Sequence, residues 1–173
     1  MSTAVVYASR YGSTSDIAHH IARQLGPGTA AFDLADGDPD LSGYDLVVLG
    51  TPVYLGQPLG LMKQLAASGA LDGTRVALFA GGLETDPAKR DATIKEAYPP
   101  ELLDRAVAVG FLGGRLLSRR IGMTDRSAFK RATGTKVKGD IDAVDRDAID
   151  RFVSQVRDSL GTAVPDGGAT SPE

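Results

Sequence analysis

The chain contains no cysteine, which excludes disulfide bonds, thiolate metal sites, iron–sulfur ligation and a cysteine nucleophile. Histidine occurs only at His19 and His20, and because the two are adjacent we do not expect a metal centre built from several histidines. The net charge is only -3, so the chain lacks the overall basic character of a nucleic-acid-binding protein. No apolar run approaches the roughly 20 residues that a membrane-spanning helix needs.

What is present is ordinary for a globular protein. The chain has 173 residues, of which 42% are hydrophobic, enough to bury the core of one domain. A strand pattern begins almost at the N-terminus, so we expect no signal peptide and a cytoplasmic protein. We assign residues 1–160 to the domain and residues 161–173, rich in Gly, Pro, Ser and Thr, to a disordered tail.

The first distinctive stretch is a loop between a strand pattern and a helix pattern. Residues 3–8 are apolar and β-branched, and residues 16–25 place their aliphatic side chains on one helical face. The loop consists of Ser9, Arg10, Tyr11, Gly12, Ser13 and Thr14. The start of a helix has free N–H groups and a partial positive charge, so this loop suits a phosphate. The alternative is a plain turn in which Ser13 caps the helix.

The rest of the chain alternates strand and helix patterns with short connections. Further strands are expected at residues 29–34, 44–50, 75–80 and 105–111. Helices are expected from Pro58, from Pro87 up to Pro99, and over residues 140–160. This rhythm predicts an α/β fold: a doubly wound five-stranded parallel sheet, in the order 2-1-3-4-5, with helices on both faces.

Two more unusual loops follow the third and fourth predicted strands. They are residues 51–58, with two prolines and an aromatic ring, and residues 81–84, with two glycines. Ligands of such sheets bind at the carboxyl ends of the strands, where the predicted order brings all three loops together. We therefore predict a mononucleotide site in which Tyr54 and Leu55 face a flat ring.

Several other site classes are missing from the loops. There is no nucleophile with a base, no acidic cluster for magnesium, no dinucleotide fingerprint after the first strand and no phosphate-loop lysine. The reactive group is therefore expected to come from a cofactor.

Residues 113–139 interrupt the strand–helix rhythm. They carry eight Lys and Arg residues against a single acid, Asp125, a net charge of +7, with apolar residues interleaved. Three interpretations stay open: a solvated loop that balances an acidic body, a surface for anionic lipid, or a lid that binds an anionic substrate or an acidic redox partner. Nucleic acid is not expected, because aromatic residues for base stacking are nearly absent from this segment.

The first loop resembles the FMN phosphate loop of flavodoxins in its pattern Ser9-x-Tyr11-Gly12-x-Thr14, and the order of elements over residues 3–160 is similar to a flavodoxin domain. Within that superfamily the chain most resembles the flavodoxin-like, quinone-dependent protoporphyrinogen dehydrogenase (oxidase) group. The similarity lies in the Ser-Arg-x-Gly-x-Thr first loop, the Gly-Gly-Leu of the third loop and the basic, apolar insertion after strand 5.

The resemblance implies a flavodoxin-like fold that holds FMN, with a deazaflavin as the alternative. The FMN phosphate would be held by Ser9, Arg10, Tyr11, Gly12, Ser13 and Thr14. The flavin ring would be lined by Thr51, Pro52, Val53, Tyr54, Leu55, Gly56, Ala80, Gly81, Gly82 and Leu83. The Arg10 side chain would either pair with the phosphate or point to solvent.

The activity implied is that of an FMN-dependent oxidoreductase, which oxidises a porphyrinogen-like substrate and passes electrons to a quinone. The alternative is a flavodoxin-type electron carrier without a substrate of its own. The expected partners are a small-molecule substrate or a redox protein, with a peripheral contact to the inner face of a membrane or to a quinone through residues 115–138.

Overall fold

The computed structural model describes residues 1–161. Its strands are β1 (Thr3–Tyr7), β2 (Thr29–Asp33), β3 (Leu46–Tyr54), β4 (Gln57–Pro58), β5 (Arg75–Gly81), β6 (Ala106–Phe111), β7 (Arg115–Leu116) and β8 (Ile141–Asp142). Its α-helices are α1 (Ser13–Leu25), α2 (Leu61–Ala67), α3 (Pro87–Ala97), α4 (Pro100–Arg105), α5 (Met123–Thr133) and α6 (Arg146–Gly161).

Five parallel strands form the central sheet in the order β2-β1-β3-β5-β6, which confirms the predicted doubly wound topology. Strands β1, β3 and β5 are almost entirely buried, because helices cover both faces of the sheet. One core packs α1 and α6 against the sheet, through residues such as Ile21 and Phe152. The other packs α2, α3 and α4, through residues such as Met62 and Ile94.

The prediction that residues 51–58 form a loop was wrong. Strand β3 continues to Tyr54, and its residues Thr51 and Pro52 pair with Ala80 and Gly81 of β5. On its other side β1 has already ended at Tyr7, so this part of β3 is an edge strand. A proline is tolerated at an edge because no neighbouring strand needs its missing N–H.

The predicted start of a helix at Pro58 was also wrong. Residues 57 and 58 form β4, which pairs antiparallel with Val53 and Tyr54 of β3. The two residues between the strands, Leu55 and Gly56, have φ values of +50° and +78°, the backbone of a type I′ hairpin turn. Helix α2 begins three residues later, at Leu61.

Two other boundaries differ from the sequence prediction. Helix α4 was missed, because the Pro99-Pro100 pair reads as a stop, whereas Pro100 in fact occupies the first turn of a new helix. The last helix begins at Arg146 rather than at residue 140. Of the predicted tail, Gly161 ends α6, and the remaining residues lie outside the described part of the chain.

The basic insertion is folded. Strands β7 and β8 pair antiparallel through Arg115–Asp142 and Leu116–Ile141, and α5 lies between them in sequence. Within residues 1–161, no helix combines the length and the apolar character needed to cross a bilayer.

Tyr98 ties the two central strands together near their carboxyl ends. Its side chain is 1% exposed, and its hydroxyl lies 2.6 Å from the carbonyl oxygen of Phe79 and 3.0 Å from that of Leu49. Burial raises the pKa of Tyr98 above its ordinary value, so the hydroxyl stays neutral. Its one O–H group is the hydrogen-bond donor to both carbonyl oxygens.

We predict that Tyr98→Phe lowers the free energy of unfolding by about 1 kcal/mol, because it removes a buried hydrogen bond to the backbone of β3 and β5. Urea denaturation measures this. The matched control is Tyr44→Phe: Tyr44 is half-buried against Phe32, and its hydroxyl has no hydrogen-bond partner among residues 1–161, so we expect a change within about 0.5 kcal/mol. Equal effects of the two variants would contradict a bridging role for Tyr98.

Candidate functional site

A cavity of about 690 Å³ lies at the carboxyl edge of the sheet, within the size range of small-molecule sites. Three chain segments predicted from sequence meet there. The predicted residues that line it are Arg10, Tyr11, Ser13, Thr14, Pro52, Val53, Tyr54, Leu55, Gly56, Gly81, Gly82 and Leu83. The four other predicted residues, Ser9, Gly12, Thr51 and Ala80, do not line it.

Ser9 does not line the cavity but holds the first loop in place by hydrogen bonds. Its Oγ accepts hydrogen bonds from the N–H groups of Gly12, at 3.0 Å, and Ser15, at 3.4 Å. Gly12 precedes α1 with φ +90°, a left-handed conformation that most side chains disfavour. Ser9 and Gly12 therefore fix the path by which the chain enters α1, and the following residues face the cavity.

Ser13 and Thr14 present polar groups to the cavity. The Ser13 hydroxyl accepts the Arg115 backbone N–H at 2.7 Å. Thr14 is only 2% exposed, and its side chain has no hydrogen-bond partner among residues 1–161. The N–H groups of both residues belong to the first turn of α1, where a helix supplies no carbonyl partners. A hydroxyl, these N–H groups and the helix dipole together favour an anion.

The hairpin between β3 and β4 supplies one wall. Leu55, at its tip, has φ +50°, and it is the one non-glycine residue with a positive φ in the part of the chain described. A left-handed leucine costs on the order of 1 kcal/mol. Strained residues of this kind concentrate at functional sites, and here the Leu55 side chain lines the cavity.

The third loop packs backbone against backbone. The Gly82 N–H donates to the Gly113 carbonyl at 2.9 Å. A Cβ on Gly82 would lie 3.0 Å from the Val53 carbonyl oxygen and 3.3 Å from the Phe111 ring. A side chain at residue 82 would therefore be crowded, because the ends of β3, β5 and β6 approach closely there.

Residues of the insertion line the cavity, and which of the three interpretations of this segment applies stays a prediction. Lining residues that the sequence analysis had not assigned to the site are Glu84, Lys89, Gly114, Arg115, Leu116, Phe129, Ala132, Thr133 and Ile141. The sequence did offer a sign that residues 113–139 contribute to the site, because apolar residues are interleaved with their cations. Two of these apolar residues, Leu116 and Phe129, line the cavity. Ile141 gave no such signal, because its strand lay inside a predicted helix.

Arg10 lines the cavity, is exposed, and is held by groups of the protein itself. Its guanidinium carbon lies 4.6 Å from the centre of the Tyr54 ring, and its Nη2 lies 3.0 Å from the Asp125 carboxylate. Its Nε donates to the Tyr11 hydroxyl at 3.1 Å, and this bond together with Asp125 raises the pKa of Arg10. Arg10 therefore links the first loop, the hairpin and α5.

Asp125 is the acid that anchors α5. Its carboxylate accepts from the hydroxyl of Tyr11 as well as from Arg10, and its backbone carbonyl accepts from the Tyr54 hydroxyl at 3.0 Å. The hydrogen bond from Tyr11, followed by the charge of Arg10, holds the pKa of Asp125 below its ordinary value of 3.8. Because no residue of α5 is fully buried, these polar contacts are a main attachment of the helix over the cavity.

Comparison with known families finds one match, to a family model described as a flavodoxin domain, over residues 4–142. A short-chain flavodoxin associated with a PDU bacterial microcompartment superposes with a TM-score of 0.56 at 16% identity, over 92% of this chain and 99% of that one. A Fusobacterium nucleatum flavodoxin bound to flavin mononucleotide superposes with a TM-score of 0.53 at 14% identity, over 91% and 98%. No curated protein matches the chain. At these identities the two structures establish similarity of fold.

We predict that Asp125→Asn speeds amide hydrogen exchange of α5 at neutral pH, because it removes the charge that pairs with Arg10. A carboxyl group with a lowered pKa stabilises the folded state above its ordinary pKa, and that contribution disappears as the pH falls through the lowered value. The difference between variant and wild type should therefore begin to shrink as the pH falls past the ordinary value of 3.8, and it should be lost once the pH is below the lowered pKa.

The control for this variant is Asp91→Asn, on the exposed surface of α3, which should leave the exchange of α5 unchanged. Identical exchange of residues 123–133 in wild type and Asp125→Asn at neutral pH would contradict the anchoring role.

Proposed function

The chain belongs to the flavodoxin domain family, since that family's model matches residues 4–142, and from this premise we propose that it is an FMN-binding flavoprotein with oxidoreductase activity. The observation that carries the proposal is the cavity at the carboxyl edge of the sheet. It joins the Thr14 hydroxyl at the start of α1, which has no hydrogen-bond partner among residues 1–161, to apolar side chains that include Leu55, Leu83 and Phe129. These are the two environments that a phosphate and a flat heterocycle require.

The residues present fit FMN. Ser13 and Thr14, with the first N–H groups of α1, would hold the phosphate, and the described residues contain no acidic cluster that could hold the metal ion of a triphosphate. Leu55, Leu83 and Phe129 would cover the ring system and exclude water from it. Bound FMN supplies the transfer of one or two electrons, for which the chain itself has no redox-active side chain such as cysteine.

The finer proposal is that the protein oxidises a small organic substrate inside this covered cavity. Support comes from Leu116 and Phe129 of the insertion and from Ile141 just after it, which line the cavity. The sequence resemblance to the quinone-dependent protoporphyrinogen dehydrogenase group suggests a porphyrinogen-like substrate and a quinone acceptor. We further propose that the exposed cations of the insertion, including Arg131, Lys136 and Lys138, contact an acidic redox partner or the inner face of a membrane.

The second candidate is an electron carrier without a substrate of its own, with FMN or a deazaflavin as its cofactor. It is supported by the two superposed flavodoxins, whose chains are covered over 98% or more of their length. In a carrier, α5 would limit access to the flavin and would have no substrate to enclose.

The proposal predicts that purified protein retains, or takes up in a 1:1 ratio, FMN with its two-banded visible spectrum. Thr14→Val should weaken FMN binding by roughly tenfold, since a hydrogen bond to a charged group contributes about 1.5 kcal/mol or more. Thr93→Val, on α3, is the matched control, because the Thr93 hydroxyl instead donates to the Lys89 carbonyl at 2.8 Å. Protein that binds a deazaflavin but not FMN would exclude the FMN assignment, and protein that binds neither would overturn the proposed function.

Two variants of α5 distinguish the enzyme from the carrier. Phe129 lines the cavity, whereas Met123 on the same helix is 87% exposed. For an enzyme, Phe129→Ala should lower kcat/KM for porphyrinogen oxidation with a quinone by about tenfold or more, and Met123→Ala should leave it unchanged. Electron transfer from the reduced flavin to ferricyanide should persist in both variants.

Wild-type protein that reduces ferricyanide but does not turn over porphyrinogen supports the carrier instead. Equal turnover of the two α5 variants would show that the covered cavity does not hold the substrate.

A further inference from the structure

Arg120, in the turn that precedes α5, lies directly against the first loop. Its Nη1 donates to the Tyr11 carbonyl at 3.0 Å. It approaches the backbone so closely that a Cβ on Gly12 would lie 2.0 Å from Nη1. The glycine at residue 12 therefore does more than permit a left-handed turn, because it also leaves room for a guanidinium group at the start of α1.

The Arg120 side chain is exposed and does not itself line the cavity, but it contacts Tyr11, which does. A helix N-terminus is an unfavourable position for a cation without an ion-pair partner. The N-terminus of α1 carries a partial positive charge, and a second positive charge at the same end of a helix is repelled. Between residues 1 and 161 the ion pairs are Arg10–Asp125 and Arg115–Asp142, and neither includes Arg120. Asp16, the acid in the first turn of α1, lines a different groove, the one between α1 and α6.

A second observation at the same helix end also indicates an anion. Thr14 is 98% buried and lines the cavity, and no hydrogen-bond partner for its hydroxyl occurs in the described residues. Arg120 uses one of its five N–H donors on the Tyr11 carbonyl and keeps the others. The helix end thus combines a hydroxyl, free N–H groups and an unpaired guanidinium.

We propose that Arg120, contributed by the insertion, supplies the positive charge of a phosphate-monoester site at the N-terminus of α1. This inference rests on the proposed function, because the monoester it concerns is the FMN phosphate. Arg10, the cation considered from sequence for this phosphate, pairs with Asp125. The insertion therefore has two roles: α5 covers the cavity, and Arg120 selects phosphorylated flavin over riboflavin.

The experiment titrates FMN and riboflavin into wild type, Arg120→Ala and Arg119→Ala, with flavin fluorescence as the readout. Arg119 is the matched control, since it is an exposed arginine in the same short turn. Arg120→Ala should weaken FMN binding by about tenfold to a hundredfold, the usual range for hydrogen bonds to a charged group, and change riboflavin binding by less than about twofold. Arg119→Ala should leave both affinities unchanged. Added salt should weaken FMN binding more in wild type than in Arg120→Ala.

Two results overturn the inference while leaving the proposed function intact. Equal weakening of FMN and riboflavin by Arg120→Ala would make Arg120 a support for the Tyr11–Gly12 backbone only. Unchanged FMN affinity would show that it does not contact the phosphate.

Thermal shift with inorganic phosphate separates failure of the inference from failure of the proposed function. If wild type binds neither flavin but is stabilised by phosphate in a way that Arg120→Ala abolishes, the anion site stands and FMN is the wrong ligand. If phosphate gives no such stabilisation and neither flavin binds, both proposals are overturned.

Discussion

The site depends on the parallel register of β1, β3 and β5. Tyr7 at the end of β1 pairs with Gly50 of β3, and Gly50 pairs with Phe79 of β5, so the three strands reach the same edge of the sheet side by side. A Cβ on Gly50 would lie 2.1 Å from the Phe79 ring, which means that this register also depends on close packing in the core. With the strands fixed, the start of α1, the β3–β4 hairpin and the loop after β5 must converge.

The insertion adds further lining residues to the cavity at the edge of the sheet. The hairpin tip lines the cavity, and so does Phe129 of α5. The helix is fastened by a single acidic residue, Asp125, which contacts side chains of both the first loop and the hairpin. A segment with a net charge of +7 therefore docks on the site through its one negative charge and through two arginines that donate to neutral groups. The Arg115 N–H donates to the Ser13 hydroxyl, and the Arg120 guanidinium donates to the Tyr11 carbonyl. This explains how a strongly basic segment can pack over a helix end that is itself positive.

The topology and the first loop could be predicted from sequence because both rest on local patterns: apolar runs of strand length, helical periodicity and a polar loop between them. The hairpin could not, because Pro52 and Pro58 read as breakers. Proline is tolerated in this part of β3 because β1 ends at Tyr7, which leaves the continuation of β3 as an edge strand. The sequence of the loop does not show where β1 ends relative to β3. The orientation of Arg10 was equally hidden, since its partner Asp125 lies 115 residues away in sequence.

The central claim is that one cavity, from the start of α1 to the underside of α5, holds FMN. The most direct test is an amide NMR titration of ¹⁵N-labelled protein with FMN. The account predicts that the largest shifts fall at Ser13, Thr14 and Gly82 and along residues 123–133, and that the distant end of the sheet near Thr29 stays unchanged. Shifts confined to the groove between α1 and α6, around Gln24 and Asp150, would place the ligand elsewhere and contradict the account.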